Sequence, residues 1–470
     1  MPSYDEFLLF LKTAYSDCAD FSFREFSRDG WQVAFCYLKG MADRREAGEL
    51  ILRPLLASLS ENSFTGDFAT VLRASSVQSV TTPDEAADAL LRGELFLCAR
   101  TKTKSGEKTV SCLANLQTGL SRPVSEPNSD VTIRGPRVGF VEDVEKNMTL
   151  LRQDLRTPDL KFVTLTAGSY SHTRIVLCYL DSRCDKALVS ELSRRISTIK
   201  AEAILDVGNL EMLLLGKRSP LFPLFGSTEK TDKAASKLLA GRVGILVDGS
   251  PFMLSAPYVF AESIQSAEDY LRTPYYATAI RCLRFLSVFL SLFLPAILVA
   301  VGKLDPSALP GNLTKQLSNV KEDLPTSLFL ECLTSLAVFE LVREVGVRMP
   351  RTVGDAVGIV ASIILGDAAV EAKLASPLVI LTVALSAVCA FIVPVYMYAT
   401  VLLRFVFLLA AEVFGFAGLF LGLVILLTAV SRMESWGAPY LSPLSPWRKQ
   451  GLQDFLLAVP KKTLGRKEIL

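Results

Sequence analysis

Long apolar runs between Phe285 and Val430 constrain the fold of this chain more than any single motif does. Each comes close to the ~20 residues that a helix needs to cross the hydrocarbon core of a bilayer. They are Phe285–Val301, Ser376–Leu403 and Phe405–Val430. The chain before Phe285 instead has the shorter, punctuated apolar segments of a soluble α/β protein. The sequence therefore predicts a multi-domain membrane protein that carries a large aqueous head.

Two further segments between these runs, Leu324–Val347 and Val353–Ala372, are partly apolar but carry acids. Charges at membrane depth are costly unless they face protein or water. We therefore expect a helical transmembrane domain with about four to five membrane segments. The favoured arrangement has four crossings, the three apolar runs plus Leu324–Val347. Val353–Ala372 is then a broken or re-entrant element.

Acids in this half of the chain are the candidate functional residues. They are Glu331, Glu340, Asp355, Asp367, Glu371 and Glu412. Rings of acids in an oligomer can select cations in a pore. The alternative is that they lie at helix interfaces, reach water, or pair with basic residues such as Arg343, Arg348 or Lys373.

Helical geometry separates three of these acids. Asp367 and Glu371 lie four positions apart and share a helix face, whereas Asp355 lies about 120° away around the helix. We expect Asp367 and Glu371 to face a water-accessible path, alongside Glu331 or Glu340. Asp355 is expected nearer the cytoplasmic mouth.

The distribution of basic residues predicts the orientation. The tail contains Arg432, Arg448, Lys449, Lys461, Lys462, Arg466 and Lys467, and basic segments stay in the cytoplasm. The first residues contain Asp5 and Glu6 and lack the pattern of a signal peptide. We expect head and tail to share the cytoplasmic side, which leaves Arg404 at the outer side.

The head contains a diverged duplication. Val33–Leu38 matches Ile175–Leu180 at an offset of 142, and Leu90–Gly93 matches Leu238–Gly241 at an offset of 148. Each copy predicts a strand, a helix, a further strand or helix and a hairpin. The expectation is two tandem α/β lobes of thioredoxin-like layout. The predicted division is a first lobe at 1–120, a linker and connecting helix at 121–156, a second lobe at 157–275, a transmembrane domain at 276–432 and a basic cytoplasmic tail at 433–470.

Composition argues against several functional classes. The 50 Lys and Arg nearly balance 48 Asp and Glu, so no electrostatic case for nucleic acid arises. Nine cysteines form no Cys-x-x-Cys pair, which removes the redox version of the thioredoxin layout and any disulfide framework. His172 is the single histidine, and phosphate-binding and hydrolase motifs are missing. We expect neither an enzyme nor a bound cofactor or metal.

Several short motifs in a fixed order resemble a known family. They include Arg134-Gly135-Pro136-Arg137, Thr157–Phe162, Val247-Asp248-Gly249, Ser291–Ala296, Pro350-Arg351 and Pro439-Tyr440-Leu441. Over about Val131–Pro446 the chain resembles the A subunit of bacterial spore germination receptors. This is the GerA family, which includes the paralogue encoded with the spore dipicolinate-channel genes. Val138 and Asp367 depart from the residues common there, an acid and a glutamine.

The resemblance implies a subunit of the spore inner membrane that acts in nutrient-triggered germination. It also implies a transporter-like B subunit and a lipoprotein C subunit as partners, and a homo-oligomeric ion-conducting pore. The residues leave two alternatives open, a secondary transporter subunit and a non-conducting scaffold that docks partners. Arg134 and Arg137 are candidates either for binding an anion or, as we favour, for bracing the junction between head and membrane domain.

Overall fold

The structure is a computed structural model. It describes residues 2–28, 30–61, 64–74, 76–103, 106–116, 136–216, 220–304, 327–349, 364–447 and 454–458. The chain forms two compact units. The head unit contains Met1–Ser219 and Phe225–Tyr258, and the helical unit contains Pro220–Leu224 and the chain from Val259 onward.

The first lobe of the head is a five-stranded antiparallel sheet in the order β1-β2-β4-β5-β3. Its elements are α1 Tyr4–Ala14, β1 Phe21–Arg28, β2 Trp31–Leu38, α2 Arg44–Glu46, a π-helical stretch Ala47–Leu52, α3 Arg53–Ser60, a 3-10 turn Phe68–Thr70, β3 Val77–Ser79, α4 Pro83–Leu91, β4 Glu94–Thr103 and β5 Gly106–Asn115.

Helices cover both faces of this sheet, which explains why β2 is almost continuously apolar. Ala34 and Cys36 pack with α1 and α4 in one core cluster. Val33, Phe35 and Tyr37 pack with the helices after β2 in the other. Successive side chains of a strand point to opposite faces, so a strand covered on both sides needs apolar residues at every position.

The second lobe repeats this plan with the strand order β6-β7-β9-β10-β8. Its elements are α5 Val144–Asp154, β6 Leu160–Ala167, β7 Thr173–Leu180, α6 Lys186–Ser197, α7 Val207–Leu215, β8 Gly226–Thr228, α8 Thr231–Leu239, β9 Val243–Val247 and β10 Met253–Ala256.

The strand positions confirm the duplication. β2 and β7 both lie second in their sheets, and both bounds of β7 lie 142 residues after those of β2. Each has the same burial pattern, with six buried residues at its end. α1 and α5 correspond as well, since each has 11 residues and precedes the first strand of its lobe. The helix expected as a connector, α5, packs in the core of the second lobe through Leu151.

The thioredoxin-like layout was wrong. That layout contains a βαβ unit, in which a helix joins two parallel strands. Here every neighbouring pair of strands in both sheets is antiparallel, and β1–β2 and β6–β7 are hairpins.

A buried ion pair joins the two lobes. Arg152 of α5 donates from Nε and Nη2 to both carboxylate oxygens of Asp20 at 2.9–3.0 Å. Its Nη1 donates to the carbonyls of Thr157 and Leu160 at 2.9 and 3.0 Å. Arg152 is 0% and Asp20 3% exposed. Both charges are therefore shielded from water, and hydrogen bonds within the protein satisfy the polar groups of Arg152 and Asp20.

The helical unit begins with α9 Phe260–Ile264 and a 3-10 turn Ala267–Leu271. Its remaining elements are α10 Pro274–Gly302, α11 Leu328–Arg348, α12 at residues 364–371, α13 Pro377–Ile392, a 3-10 turn Pro394–Tyr396, α14 Met397–Ser431 and the two-residue strands β11 Glu434–Ser435 and β12 Ala438–Pro439. A break near Pro394 was expected, and α13 ends just before it.

Two helical segments are long and apolar enough to cross a membrane. They are Pro274–Gly302 and Pro394–Ser431, with mean hydropathies of 2.5 and 2.6. Pro377–Ile392 is apolar but shorter. Within the described ranges, this finding supports two candidate spans and leaves the expected four to five membrane segments unconfirmed.

The second candidate span reverses direction at Gly415. This residue has φ +58° and ψ −138° in the middle of α14, a conformation that favours glycine. A Cβ on Gly422 would lie 2.7 Å from Cε1 of Phe407, although 15 residues of straight helix would separate them by about 22 Å. A Cβ on Gly418 would meet the carbonyl of Ala410. The expected run Phe405–Val430 therefore forms two helices that pack against each other.

Candidate functional site: charged residues of the helical unit

The structure divides the candidate acids into an internal group and an exposed group. Glu331, Glu340 and Glu412 contact other helices, whereas Asp367 and Glu371 are exposed. Asp355 lies outside the described residues, as does Arg134. Arg137 is exposed ahead of α5, and its role in bracing or anion binding stays a prediction.

Glu331 joins α11 to α13. Its Oε2 accepts a hydrogen bond from the backbone N–H of Ser376 at 2.9 Å, and Ser376 is the N-cap residue of α13. The first N–H groups of a helix have no partner within the helix, so a carboxylate from a neighbour satisfies one of them. Glu331 is 1% exposed, and its expected place beside an aqueous path stays a prediction.

Glu340 contacts two arginines. Its Oε2 accepts from Arg343 Nε at 2.6 Å within α11. Its Oε1 lies 3.8 Å from Nη1 of Arg404 in α14. Pairing with Arg343 was the alternative to a pore role for this acid, and the structure contains that pair.

Arg404 also compensates for a proline in another helix. Pro295 lies inside α10 and has no N–H, so the carbonyl of Ser291, four residues earlier, loses its helical donor. Arg404 Nε donates to that carbonyl at 3.0 Å, and the hydroxyl of Ser386 in α13 donates to it at 3.1 Å. One freed carbonyl of α10 therefore accepts hydrogen bonds from two other helices, α13 and α14. In membrane helices, side chains of neighbouring helices commonly satisfy a carbonyl that a proline has freed.

The side chain of Arg404 is buried among α10, α11 and α14 and is 1% exposed. Its expected location at the outer side of the membrane stays a prediction. Its Nη1 has no hydrogen-bond partner among the described residues. Two arginines thus share the single carboxylate of Glu340 in the described part of this cluster.

Glu412 pairs with a residue that the sequence analysis did not single out. Lys303, directly after α10, lies with its Nζ 3.3 Å from Oε1 of Glu412 in α14. Lys303 also donates to the backbone carbonyl of Glu412. Both side chains are about one third exposed, so this pair lies at an edge of the helix bundle. Glu412 is therefore an interhelical contact.

Asp367 and Glu371 lie on α12, which the rest of the described chain leaves largely uncovered. Both acids are exposed. The apolar side chains of Ile364 and Leu365 are 59% and 44% exposed, and a Cβ on Gly366 would meet no atom within 4 Å. This helix therefore presents both an acidic stripe and apolar faces to its surroundings.

The thiols of the head are largely buried. Burial raises the pKa of the Cys98 thiol to about 12 and that of the Cys184 thiol to about 11, so both are protonated near neutral pH. All nine cysteines are free. Across the described ranges, no three His, Cys, Asp or Glu side chains are grouped so as to hold a metal ion.

Comparison with known proteins identifies the family. The family described as "Bacillus/Clostridium GerA spore germination protein" matches residues 10–469. The chain belongs to the GerA family. The resemblance expected from the sequence motifs is thereby confirmed.

Two proteins of Bacillus subtilis (strain 168) match most of the chain. Spore germination protein KA is 34% identical over 438 residues, which is 92% of this chain and 79% of the relative. Uncharacterized membrane protein YfkQ is 32% identical over 471 residues, 99% of this chain and 91% of the relative. A solved structure also matches, the crystal structure of the N-terminal domain of the A subunit of the Bacillus megaterium spore germinant receptor GerK3. The match covers 55% of this chain and 95% of the solved chain, at 23% identity and a TM-score of 0.39.

Proposed function

We propose that this protein is an integral membrane subunit of a germinant receptor complex and acts as an oligomeric, ion-conducting subunit in nutrient-triggered spore germination. Membership of the GerA family supports the role in germination. The single observation that supports conduction is the exposed acidic stripe of α12, formed by Asp367 and Glu371.

Neither lipid nor water alone is a suitable environment for α12. An acid at the centre of a membrane helix costs about 2.5–3.5 kcal/mol on insertion scales. Exposing Ile364, Leu365 and Val370 to water is unfavourable as well. A homo-oligomer in which neighbouring copies cover the apolar faces, while the acids line an aqueous path, satisfies both requirements.

The contacts of the other described acids limit which of them this proposal assigns to the path. Glu331, Glu340 and Glu412 each contact a partner in another helix or at its end. In this proposal they hold the bundle together, and Asp367 and Glu371 are the residues that influence ion selectivity. Asp355 remains a candidate for the mouth of the path.

The proposed setting follows from family membership and charge distribution. The partners are a transporter-like B subunit and a lipoprotein C subunit, and the location is the inner membrane of the spore. Head and tail lie on the cytoplasmic side. The alternatives are a secondary transporter subunit and a non-conducting scaffold.

Ion flux through the purified full chain in liposomes tests the proposal. We expect cation flux from wild type, and reduced cation selectivity after Asp367→Asn combined with Glu371→Gln. Glu344→Gln, at an exposed acid of α11 that pairs with Arg348, is the matched control and should leave selectivity unchanged. Absence of flux from folded wild type, or wild-type selectivity in the double variant, would contradict conduction along α12.

A further inference from the structure

A short part of the tail is anchored on the first helices of the helical unit. Residues 454–458, here called the tail segment, form turns and no regular helix or strand. Asp454 is 7% exposed and Phe455 3% exposed. The surface that receives them, here called the acceptor site, consists of Gln265, Tyr270, Thr278, Arg281 and the apolar residues Val259, Ala261 and Ile264.

Arg281 of the acceptor site shares the carboxylate of the neighbouring Asp269 with Arg284. Asp269 accepts from Arg281 Nε at 3.1 Å and from Arg284 Nη1 at 2.7 Å, so one carboxylate serves two guanidinium groups. Arg281 is 0% and Asp269 5% exposed. Asp454 supplies the second carboxylate, at 2.9 Å from Arg281 Nη1. A buried cation without its counterion is strongly unfavourable, which makes this site selective for an acidic group.

Hydrogen-bond geometry makes the site selective for aspartate. Arg281 Nη1 donates to Oδ1 of Asp454, while the hydroxyl of Tyr270 donates to Oδ2 at 2.5 Å. Burial and the adjacent Asp454 carboxylate raise the pKa of Tyr270, so its hydroxyl keeps its proton. An asparagine would present an NH₂ donor to one of these two donors.

Arg281 also holds the backbone beside that carboxylate, together with Gln265. The Asp454 carbonyl accepts from Gln265 Nε2 and from Arg281 Nη1, both at 2.6 Å. The distance between this carbonyl and the carboxylate is set by one methylene group. Glutamate, with one more methylene, would not place both acceptors in the same positions.

The next residue enters an apolar pocket. Phe455 packs with Val259, Ala261 and Ile264, and its ring centroid lies 6.3 Å from that of Phe260. Three residues later, the N–H of Ala458 donates to the hydroxyl of Thr278 in α10 at 3.0 Å. An aspartate followed by an aromatic residue is therefore the pattern that this surface recognises.

We propose that the acceptor site is a peptide-binding site for Asp–Phe segments, which the chain's own tail segment occupies as a removable strap across the start of α10. In the described residues 454–458, side-chain and carbonyl contacts rather than strand pairing hold the strap, so its local opening requires far less free energy than unfolding of the bundle. The same site can then accept an equivalent segment from a second copy of this chain. This inference does not depend on ion conduction.

Binding of a fluorescent peptide with the sequence of residues 452–460, LQDFLLAVP, tests the proposal. Its targets are the detergent-solubilised full chain and a chain truncated after Trp447. The truncated chain should bind the peptide, and the full chain should bind at least about tenfold more weakly, because the attached tail competes at high effective concentration. A peptide with the change Asp454→Asn should bind the truncated chain at least about tenfold more weakly, since hydrogen bonds to charged groups are lost.

Two controls keep the test decisive. The peptide with Leu457→Ala should bind like wild type, because Leu457 is 64% exposed in the structure. Should the truncation fail to fold, the full chain with Asp454→Asn replaces it and should bind the wild-type peptide more tightly than the wild-type chain does. Equal binding of the aspartate and asparagine peptides, or no gain from releasing the tail in either chain, would overturn the proposal.

Discussion

Arg152 in the head and Arg404 in the helical unit are both fully buried, yet their charges are compensated differently. Arg152 faces one carboxylate of its own and two backbone carbonyls, at hydrogen-bond distances of 2.9–3.0 Å. Arg404 has one such bond, to the Ser291 carbonyl, and shares the more distant Glu340 with Arg343.

The difference indicates two uses of a buried arginine. In the head, the guanidinium of Arg152 has hydrogen-bond partners for all its nitrogen atoms, and its bond to Asp20 holds the two lobes together. In the helical unit the arginine bridges α10, α11 and α14, and its bonds depend on Pro295 having freed a carbonyl. The partial compensation at Arg404 makes its surroundings the easier of the two to rearrange.

The largest expected effect is on the complete pair. Asp20→Asn leaves Arg152 buried without a counterion, and the free energy of unfolding should fall by about 3–5 kcal/mol. Denaturant unfolding of the full chain, monitored on the head, measures this loss. The double variant Asp20→Leu with Arg152→Met removes both charges and should recover part of this loss. The rest remains because the carbonyls of Thr157 and Leu160 lose a donor. A double variant as unstable as the single one would show that the pair contributes more than mutual compensation.

Arg404→Met should have a smaller effect than Asp20→Asn. Glu340 keeps Arg343, and the Ser291 carbonyl keeps the Ser386 hydroxyl, so the expected loss is about 1.5–3 kcal/mol, the contribution of a hydrogen bond from a charged group. Thermal unfolding in detergent measures it, with Arg348→Met at an exposed ion pair of α11 as the control. A loss that equals or exceeds that of Asp20→Asn would reverse the comparison between the two arginines.

Packing within α14 gives a third test, with a matched pair of glycines. Gly418→Ala places a Cβ against the Ala410 carbonyl and should destabilise the chain by about 1–3 kcal/mol. Gly346→Ala in α11 meets no atom within 4 Å and should be neutral or slightly stabilising, because alanine favours a helix by about 1 kcal/mol over glycine. Similar melting temperatures for both variants would contradict the close packing of the two halves of α14.

The smallest effect is expected for the thiols of the head, which should hardly react with a thiol reagent at neutral pH. With a pKa of about 11 for Cys184, only about one molecule in 10,000 carries the thiolate at pH 7. Labelling of Cys184 in a Cys282→Ser background should accelerate about tenfold per pH unit as the pH rises towards 11. Fast labelling at pH 7 would contradict the burial of this thiol.

Sequence reasoning succeeded where local pattern carries the information. The matched strands at Val33–Leu38 and Ile175–Leu180 were predictable because apolar runs and helix-ending glycines are local features. The direction of the strands was not predictable from these runs. A strand buried on both faces has the same apolar pattern whether its neighbours are parallel or antiparallel.

The candidate acids could be predicted from the sequence, but their distant contact partners could not. Acidic residues in apolar segments are visible in a sequence, but their partners come from distant positions. Glu340 and Arg404 are 64 positions apart, and Lys303 and Glu412 are 109 apart. Pro295 gave a signal that could have been used, since a proline within a helix always frees the carbonyl four residues earlier. The reversal at Gly415 was not visible because hydropathy does not report the sign of φ.

The most direct test of the central claim is the water accessibility of the two groups of acids. Asp367→Cys and Glu371→Cys are introduced singly into the full chain in liposomes, in a Cys282→Ser background, with Leu336→Cys at a fully buried position as the control. A membrane-impermeant thiol reagent should modify positions 367 and 371 rapidly and leave 336 unmodified. Glu340→Cys, placed in the internal group, should react far more slowly than positions 367 and 371, because the Glu340 side chain is 16% exposed. Protection of 367 and 371 at the level of 336, or rapid modification of 340, would contradict the assignment of the exposed acids to an aqueous path and of the internal acids to structural contacts.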